Sequence, residues 1–316
     1  MKISIVAPMY NEESNIETTI TKVKAELLLN NYNDFELVFV NDGSKDKTWE
    51  KAIDIAKNDD HLKVVGYKTN QGRGKALRTG IDNAVGDIIV TIDFDLSYDA
   101  SHITRMIKEL EVNENVDVVL ASCYMPGGQT IGIPKFRLFI SKTANLLYRF
   151  AFSPQIYTST CVVRAYRKNA IKSLDLESND KEIHLEIISK LLANNYTLQE
   201  IPGTLTRRQM GKSSFKFRAH SISHILFFIQ ERPFALFGII GLMLMTTGFI
   251  SSLILILTRF GNINGFDHTW ISRVSSPSFV IILFLAGFQF LGLGFLGIQN
   301  SLLKKELFKI QSKLKG

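Results

Sequence analysis

The chain has 316 residues, 46% of them apolar and 21% charged, with two cysteines. That composition excludes a disordered chain, a collagen-like repeat and a disulfide scaffold, and so few thiols point to a reducing compartment. The net charge of +7 comes from two short blocks, residues 204–232 and 304–316, which leave −2 for the remainder; each block flanks an apolar run, which fits a membrane boundary and not nucleic acid.

The first two hundred residues alternate strand and helix patterns. Ile3–Ala7 is a short apolar run closed by Pro8, with no signal peptide pattern. Asn15–Leu29 has helical spacing through Ile16, Ile20, Val23 and Leu27, and Phe35–Val40 is a buried strand pattern. A helix starts at Asp46 or Lys47, with Trp49, Ile53 and Ala56 on one face. Then come a strand at Leu62–Tyr67, a helix at Gly74–Val85, a strand at Asp87–Ile92, a helix at Ser101–Leu110 and a strand at Val116–Ala121. Such alternation predicts an α/β, Rossmann-like, mostly parallel sheet with helices on both faces. Residues 133–152 and 215–232 mix Phe and Leu with Lys, Arg and His at helical spacing, the pattern of interfacial amphipathic helices. His220 and His224 in the second stretch lack a third ligand nearby, so they read as solvated or interfacial.

Two uncharged runs follow, Phe234–Thr258 and Phe279–Asn300, each long enough for a transmembrane helix at about 20 residues per span. Gly287, Gly292, Gly294 and Gly297 would let the second helix pack closely. The positive-inside rule puts residues 1–232 and 301–316 in the cytoplasm and the linker 259–278 outside.

Ligands on an open α/β sheet sit at the carboxyl ends of the strands. There the sequence places Pro8-Met9-Tyr10-Asn11-Glu12, Asn41-Asp42-Gly43-Ser44, Asn70-Gln71-Gly72-Arg73-Gly74-Lys75 and Asp93-Phe94-Asp95. Turn chemistry explains any one of these loops. Four on one sheet edge bring carboxylates together with Arg73 and Lys75. Asp93 and Asp95, two apart on an extended chain, point the same way while Phe94 points inward. Such a pair suits Mg²⁺ or Mn²⁺, which take one or two carboxylates and complete their shell with water and substrate phosphates. Zinc signatures and a P-loop are absent. The site therefore reads as nucleotide-sugar binding.

These loops resemble family-2 glycosyltransferases of the GT-A type, and more closely the polyprenyl-phosphate hexosyltransferase group of dolichyl-phosphate mannose synthase and undecaprenyl-phosphate glucosyltransferase. The matching motifs continue through Tyr124-x-x-Gly127-Gly128, Arg137-x-x-x-Ser141, Arg164-Ala165-Tyr166-Arg167, Glu200-Ile201-Pro202 and Arg208-x-x-Gly211-x-Ser213. The resemblance implies that Pro8, Tyr10, Glu12 and Asp42 line the nucleobase and ribose pocket, with Lys75 also on the donor side. It implies that Asp93 and Asp95 hold the metal, and that Arg137, Ser141 and Arg208 meet the acceptor phosphate. Asn41, Ser97, Cys123, Thr158 and Val162 depart from the family pattern near both pockets, which weakens any inference about the sugar. An acid is expected near Glu186, although Glu182 and Glu186 also fit a solvated helix face.

The resulting expectation is a cytosolic catalytic domain over 1–218, a juxtamembrane helix over 219–232, a transmembrane hairpin over 233–303 and a basic tail over 304–316. The enzyme would sit in the cell membrane and move a hexose, glucose or mannose, from a UDP- or GDP-sugar to a polyprenyl phosphate with inversion. The alternatives are a transferase extending a lipid-diphosphate-linked glycan and a non-catalytic membrane scaffold; intact Asp93 and Asp95 argue against the scaffold. The Gln-x-x-Arg-Trp signature of processive synthases is absent. The expected partners are donor, acceptor and bilayer, with a homo-oligomer left open.

Overall fold

The computed structural model describes residues 1–151, 155–207, 233–260 and 276–315. By internal contacts the chain forms two units, Met1–His220 together with Lys305–Gly316, and Ser221–Lys304.

In the first unit the strands are β1 (Ile3–Met9), β2 (Phe35–Asp42), β3 (Leu62–Tyr67), β4 (Ile88–Thr91), β5 (Val118–Ser122), β6 (Gln129–Ile131), β7 (Arg164–Arg167), β8 (Leu198–Pro202) and β9 (Thr204–Thr206). The helices are α1 (Ile16–Leu29), α2 (Thr48–Ala56), α3 (Arg73–Asn83), α4 (Ser101–Val112), α5 (Lys135–Ala151), α6 (Lys168–Lys172) and α7 (Ile183–Ala193). Seven strands form one sheet in the order β3-β2-β1-β4-β7-β5-β8, and β6 pairs with β9 in a second. All pairs are parallel except those of β7, which runs antiparallel to β4 and β5.

Side-chain alternation along the strands builds a core on each face. Ile3, Ile5 and Ala7 of β1, Leu37 and Phe39 of β2, and Val119 of β5 join one cluster with Ile16, Ile20, Val23 and Leu27 of α1 and Ile103 and Ile107 of α4. Val6, Val38, Ile89 and Val118 point the other way and meet Leu77 and Ile81 of α3 and Ile183, Ile187 and Leu191 of α7. Gly80 lets α3 lie on the sheet, since a Cβ there would come within 2.3 Å of Val6 Cγ1.

The face of α2 differs from expectation. Thr48 and Ala52 are buried, whereas Trp49 is 36% exposed. Thr48 turns inward because its hydroxyl accepts the Glu12 N–H at 2.8 Å and donates to Asp46 Oδ1; the polar bond outranks the apolar period.

The second unit contains α8 (Pro233–Phe260) and most of α9 (Pro277–Lys315). Both are long and apolar enough to cross a membrane: 18-residue windows within Leu236–Leu257 and Pro277–Ser312 have mean hydropathies of 2.2 and 2.4. They pack through small residues: a Cβ on Gly241 would lie 2.8 Å from Gly287 O, and one on Gly297 would lie 2.3 Å from Pro233 Cβ. Gly292 has nothing within 4 Å of its would-be Cβ, so it takes no part in that contact. The basic tail is not a separate segment: α9 continues through it to Lys315.

Candidate active site

The loops after β1, β2 and β3 are sewn together by their own polar groups. Asn11, at φ +56°, accepts the Lys45 N–H through Oδ1 at 2.8 Å, and its own N–H donates to Ser44 Oγ at 3.0 Å. Glu12 is buried and accepts from Asn15 Nδ2 at 2.6 Å. Asp42, ending β2, is 4% exposed; it accepts from Gln71 N at 2.7 Å, Gly72 N at 3.1 Å and Asn70 Nδ2 at 2.9 Å. Burial raises its pKa, against the pull of those Gln71 and Gly72 amides. Gly72 is required here: its φ is +100°, and a Cβ would lie 2.3 Å from Asn179 O.

Beyond β4 the chain forms the acidic turn. Phe94 is buried, edge-on to Phe39 with ring centroids 4.9 Å apart, and its carbonyl accepts from Thr19 Oγ1 at 2.7 Å. That fixes Phe94 inward and leaves Asp93 and Asp95 on the wall of a cleft of about 530 Å³. Arg73 Nη1 lies 3.2 Å from Asp93 Oδ1. Asp95 accepts from Ser97 N at 3.0 Å and from the Ser97 hydroxyl. Two hard carboxylates on an open cleft, with no set of three or more acids, His or Cys placed to hold one ion among the described residues, fit Mg²⁺ or Mn²⁺ completed by water and phosphate oxygens.

Arg137 and Ser141 of α5 line the same cleft. Tyr124 also lines the cleft, and burial pushes its pKa up to about 12, with Ser141 pulling it the other way. Both cysteines line the cleft as free thiols within reach of the Tyr98 hydroxyl. Burial pushes the Cys123 thiol up and the Cys161 thiol to about 12. The outer face of α5 is amphipathic: Phe136 is 70%, Phe139 68% and Leu146 64% exposed, beside exposed Lys135, Lys142 and Thr143.

Of the residues singled out from sequence, the cleft thus unites Asp93, Asp95, Arg137 and Ser141. Pro8, Tyr10, Glu12, Asp42 and Lys75 are not part of its wall; they lie along the ends of β1 and β2 and the first turn of α3, with Tyr10 exposed, Pro8 and Lys75 half-buried, and Glu12 and Asp42 buried. Arg208, His220, His224 and the stretch 215–232 lie outside the described residues.

Sequence reasoning missed Lys181. It lines the cleft, and burial together with the charges of Arg73 and Arg137 lowers its pKa. Arg73, Arg137, Lys181 and Arg207 all line the cleft, and four cations gathered there make a receptor for anions. Nothing in the local sequence marks Lys181, because the 177–181 loop is placed by distant partners. The loop carbonyl of Asn179 accepts Lys75 N at 3.1 Å. Glu186 is not on a solvated face: it is buried, pairs with Lys190 at 2.7 Å and accepts the N–H groups of Glu177 and Ser178, each at 2.8 Å.

The model of glycosyl transferase family 2 matches residues 4–175. An undecaprenyl-phosphate 4-deoxy-4-formamido-L-arabinose transferase of Pectobacterium atrosepticum is 26% identical over 302 residues, covering 93% of this chain and 86% of the relative. A dolichol-phosphate mannosyltransferase of Pyrococcus furiosus is 31% identical over 220 residues, 68% of this chain and 60% of the relative. Among solved structures, glucosyl-3-phosphoglycerate synthase of Mycobacterium tuberculosis, crystallised with Mn²⁺, UDP-glucose and phosphoglyceric acid, superposes with a TM-score of 0.54 at 20% identity, over 73% of this chain and 79% of that one. That likeness concerns the fold, a GT-A sheet.

Proposed function

Because the chain belongs to glycosyl transferase family 2, we propose that it moves a hexose, glucose or mannose, from a UDP- or GDP-sugar to a polyprenyl phosphate at the cytoplasmic face of a membrane. The observation that carries this reading is the cleft itself, with Asp93 and Asp95 on one wall and Arg73, Arg137 and Lys181 around it. It offers places for two anions, a donor diphosphate and an acceptor phosphate. Both relatives described above are named for transfer to a polyprenyl phosphate. The exposed apolar side chains of α5 and the two long apolar helices suit a lipid acceptor and a membrane setting.

Asp93 and Asp95 would hold a Mg²⁺ or Mn²⁺ ion, whose chemistry is to neutralise the charge that develops on the departing diphosphate. An acceptor phosphate monoester needs no general base, because its second pKa near 6 leaves it anionic at neutral pH. Arg137 would grip that phosphate with its fork of N–H donors, and Ser141, one turn along, would add a hydroxyl. The resemblance adds Arg208 as a second guanidinium on the same phosphate. A phosphate oxygen then attacks the anomeric carbon, its bond to the diphosphate breaks, and the nucleoside diphosphate leaves with the electron pair. In-line displacement inverts the anomeric centre.

The deciding experiment is a panel of UDP- and GDP-sugars offered to undecaprenyl phosphate by the full chain in detergent. Transfer is expected with one donor, lost in chelator and restored by Mg²⁺ or Mn²⁺. Transfer to a lipid-diphosphate-linked glycan in place of the monophosphate would overturn the acceptor reading.

A further inference from the structure

Arg137, Ser141, Asn145 and Arg149 follow one another at intervals of four on α5 and form one stripe. The first two line the cleft. The other two hold a loop. Asn145 is 2% exposed; its Oδ1 accepts the Ser159 N–H at 2.8 Å, and its Nδ2 donates to Thr160 Oγ1 at 3.3 Å and Ser141 O at 2.9 Å. The Ser159 N–H can only donate, which fixes the orientation of the amide. The Arg149 guanidinium lies 4.0 Å from the centre of the Tyr157 ring. From behind, Glu200 of β8 accepts the N–H groups of Tyr157 and Thr158 at 2.9 and 2.7 Å, and the buried Arg164 of β7 donates to Ser159 O at 2.6 Å. Thr158, Thr160 and Cys161 of that loop line the same cleft.

We propose that Asn145 is a positioning residue, which locks the register of α5 to the 157–161 loop and thereby sets Arg137 and Ser141 at the depth the acceptor phosphate requires. A helix that exposes large apolar side chains outward depends on its inner face for its register, and polar contacts there are directional. Asn145 makes two such contacts to the loop from one short side chain, besides its bond to the Ser141 carbonyl within α5, and links the sheet-anchored loop to the helix that presents the cation. A slip of the helix would move Arg137 by ångströms, enough to lose the phosphate. The inference rests on the reading that α5 holds the acceptor.

The test uses the full chain in detergent, undecaprenyl phosphate and the donor sugar found active in the panel. Asn145→Ala should raise the apparent KM for undecaprenyl phosphate about tenfold and leave the donor KM within about twofold, as a misplaced group does. Asn145→Ala combined with Arg137→Ala should be clearly less harmful than the product of the two single effects, because residues that act through one another do not add. Multiplying effects, or a donor KM that rises as far as the acceptor KM, would overturn the proposal. If Asn145→Ala does not fold, Asn145→Asp keeps the size and the Ser159 contact, and Thr160→Val removes the far end of the Nδ2 contact. Each should raise the acceptor KM a few-fold, and wild-type values in both would overturn it. An acceptor KM unmoved by Arg137→Ala sinks the acceptor reading itself; a large Arg137→Ala effect beside an inert Asn145→Ala sinks the positioning role alone.

Discussion

The loops at the ends of β1 to β3 and the cleft wall built by α5 differ in how they are held. Asp42 and Glu12 on the first side are buried and tied to their own backbone and neighbours. The α5 side keeps Arg137 exposed on a helix whose outer face also exposes Phe136, Phe139 and Leu146. The first arrangement is preorganised by short-range bonds; the second depends on side chains such as Asn145 reaching between elements. A soluble donor suits a finished socket, whereas a lipid acceptor arrives along a surface and needs a helix open on that side.

The largest effect should come where the two sides meet. Asp95→Ala, and Asp93→Ala close behind it, are expected to reduce transfer by about a thousandfold or more, the scale of losing a preorganised charge stabiliser. Near-UV circular dichroism should remain native, because neither carboxylate supports the core. Full activity of Asp95→Ala in excess chelator would remove the metal from the reaction.

Asp42→Ala tests the preorganised side. It leaves the Gln71 and Gly72 N–H groups without their acceptor, and hydrogen bonds to a charged group contribute roughly 1.5–3 kcal/mol each. The donor KM is expected to rise about ten- to hundredfold on that scale. An acceptor KM that rises equally would erase the distinction between the sides.

Arg137→Ala tests the other side. Loss of a charged hydrogen bond of roughly 1.5–3 kcal/mol should raise the acceptor KM about ten- to hundredfold with donor KM little changed. Arg137→Lys should rescue in part, since it keeps the charge and loses the fork. Wild-type behaviour of Arg137→Ala in neutral detergent with a short-chain acceptor would mean that Arg137 anchors α5 to anionic lipid instead.

The smallest effect is in pH. His184, whose carbonyl accepts from Arg164, stands behind the loop that Asn145 holds, and His102, whose Nε2 accepts the Thr204 N–H, ties α4 to β9. Burial lowers both pKa values below the ordinary 6.5, that of His184 well below. The unfolded chain then binds protons first as the pH falls, so their contribution is complete above about pH 6.5 and is lost on acidification. Asp42 and Glu200, raised by burial, act with the opposite sign. The thermal midpoint should fall between about pH 6.5 and 5, and His184→Leu should flatten that limb. An unchanged limb in His184→Leu would assign the loss to His102.

The parts legible in the sequence were those governed by local periodicity. Apolar alternation located β1 to β5, and the two-residue repeat correctly turned Phe94 inward and Asp93 and Asp95 outward. The strand β7 carries two arginines in four residues and has no apolar run to reveal it. Arg164 is buried there because backbone carbonyls of Ser159 and His184 receive its N–H groups, a circumstance only the fold supplies. β6 and β9 are three residues each and too short for a pattern. Lys181 escaped for a similar reason, since its loop is placed by Glu186 and the start of α3.

The two thiols offer a practical consequence. Cys123 and Cys161 are the chain's whole cysteine complement, and both line the cleft. A maleimide dye added to the unmutated protein can therefore label nowhere else. With both thiols buried and their pKa values raised, labelling at neutral pH should be slow and should quicken as the pH rises. A bound substrate that covers the cleft should slow it further. The enzyme thus carries its own occupancy reporter, one that needs neither radiolabel nor knowledge of which sugar is transferred.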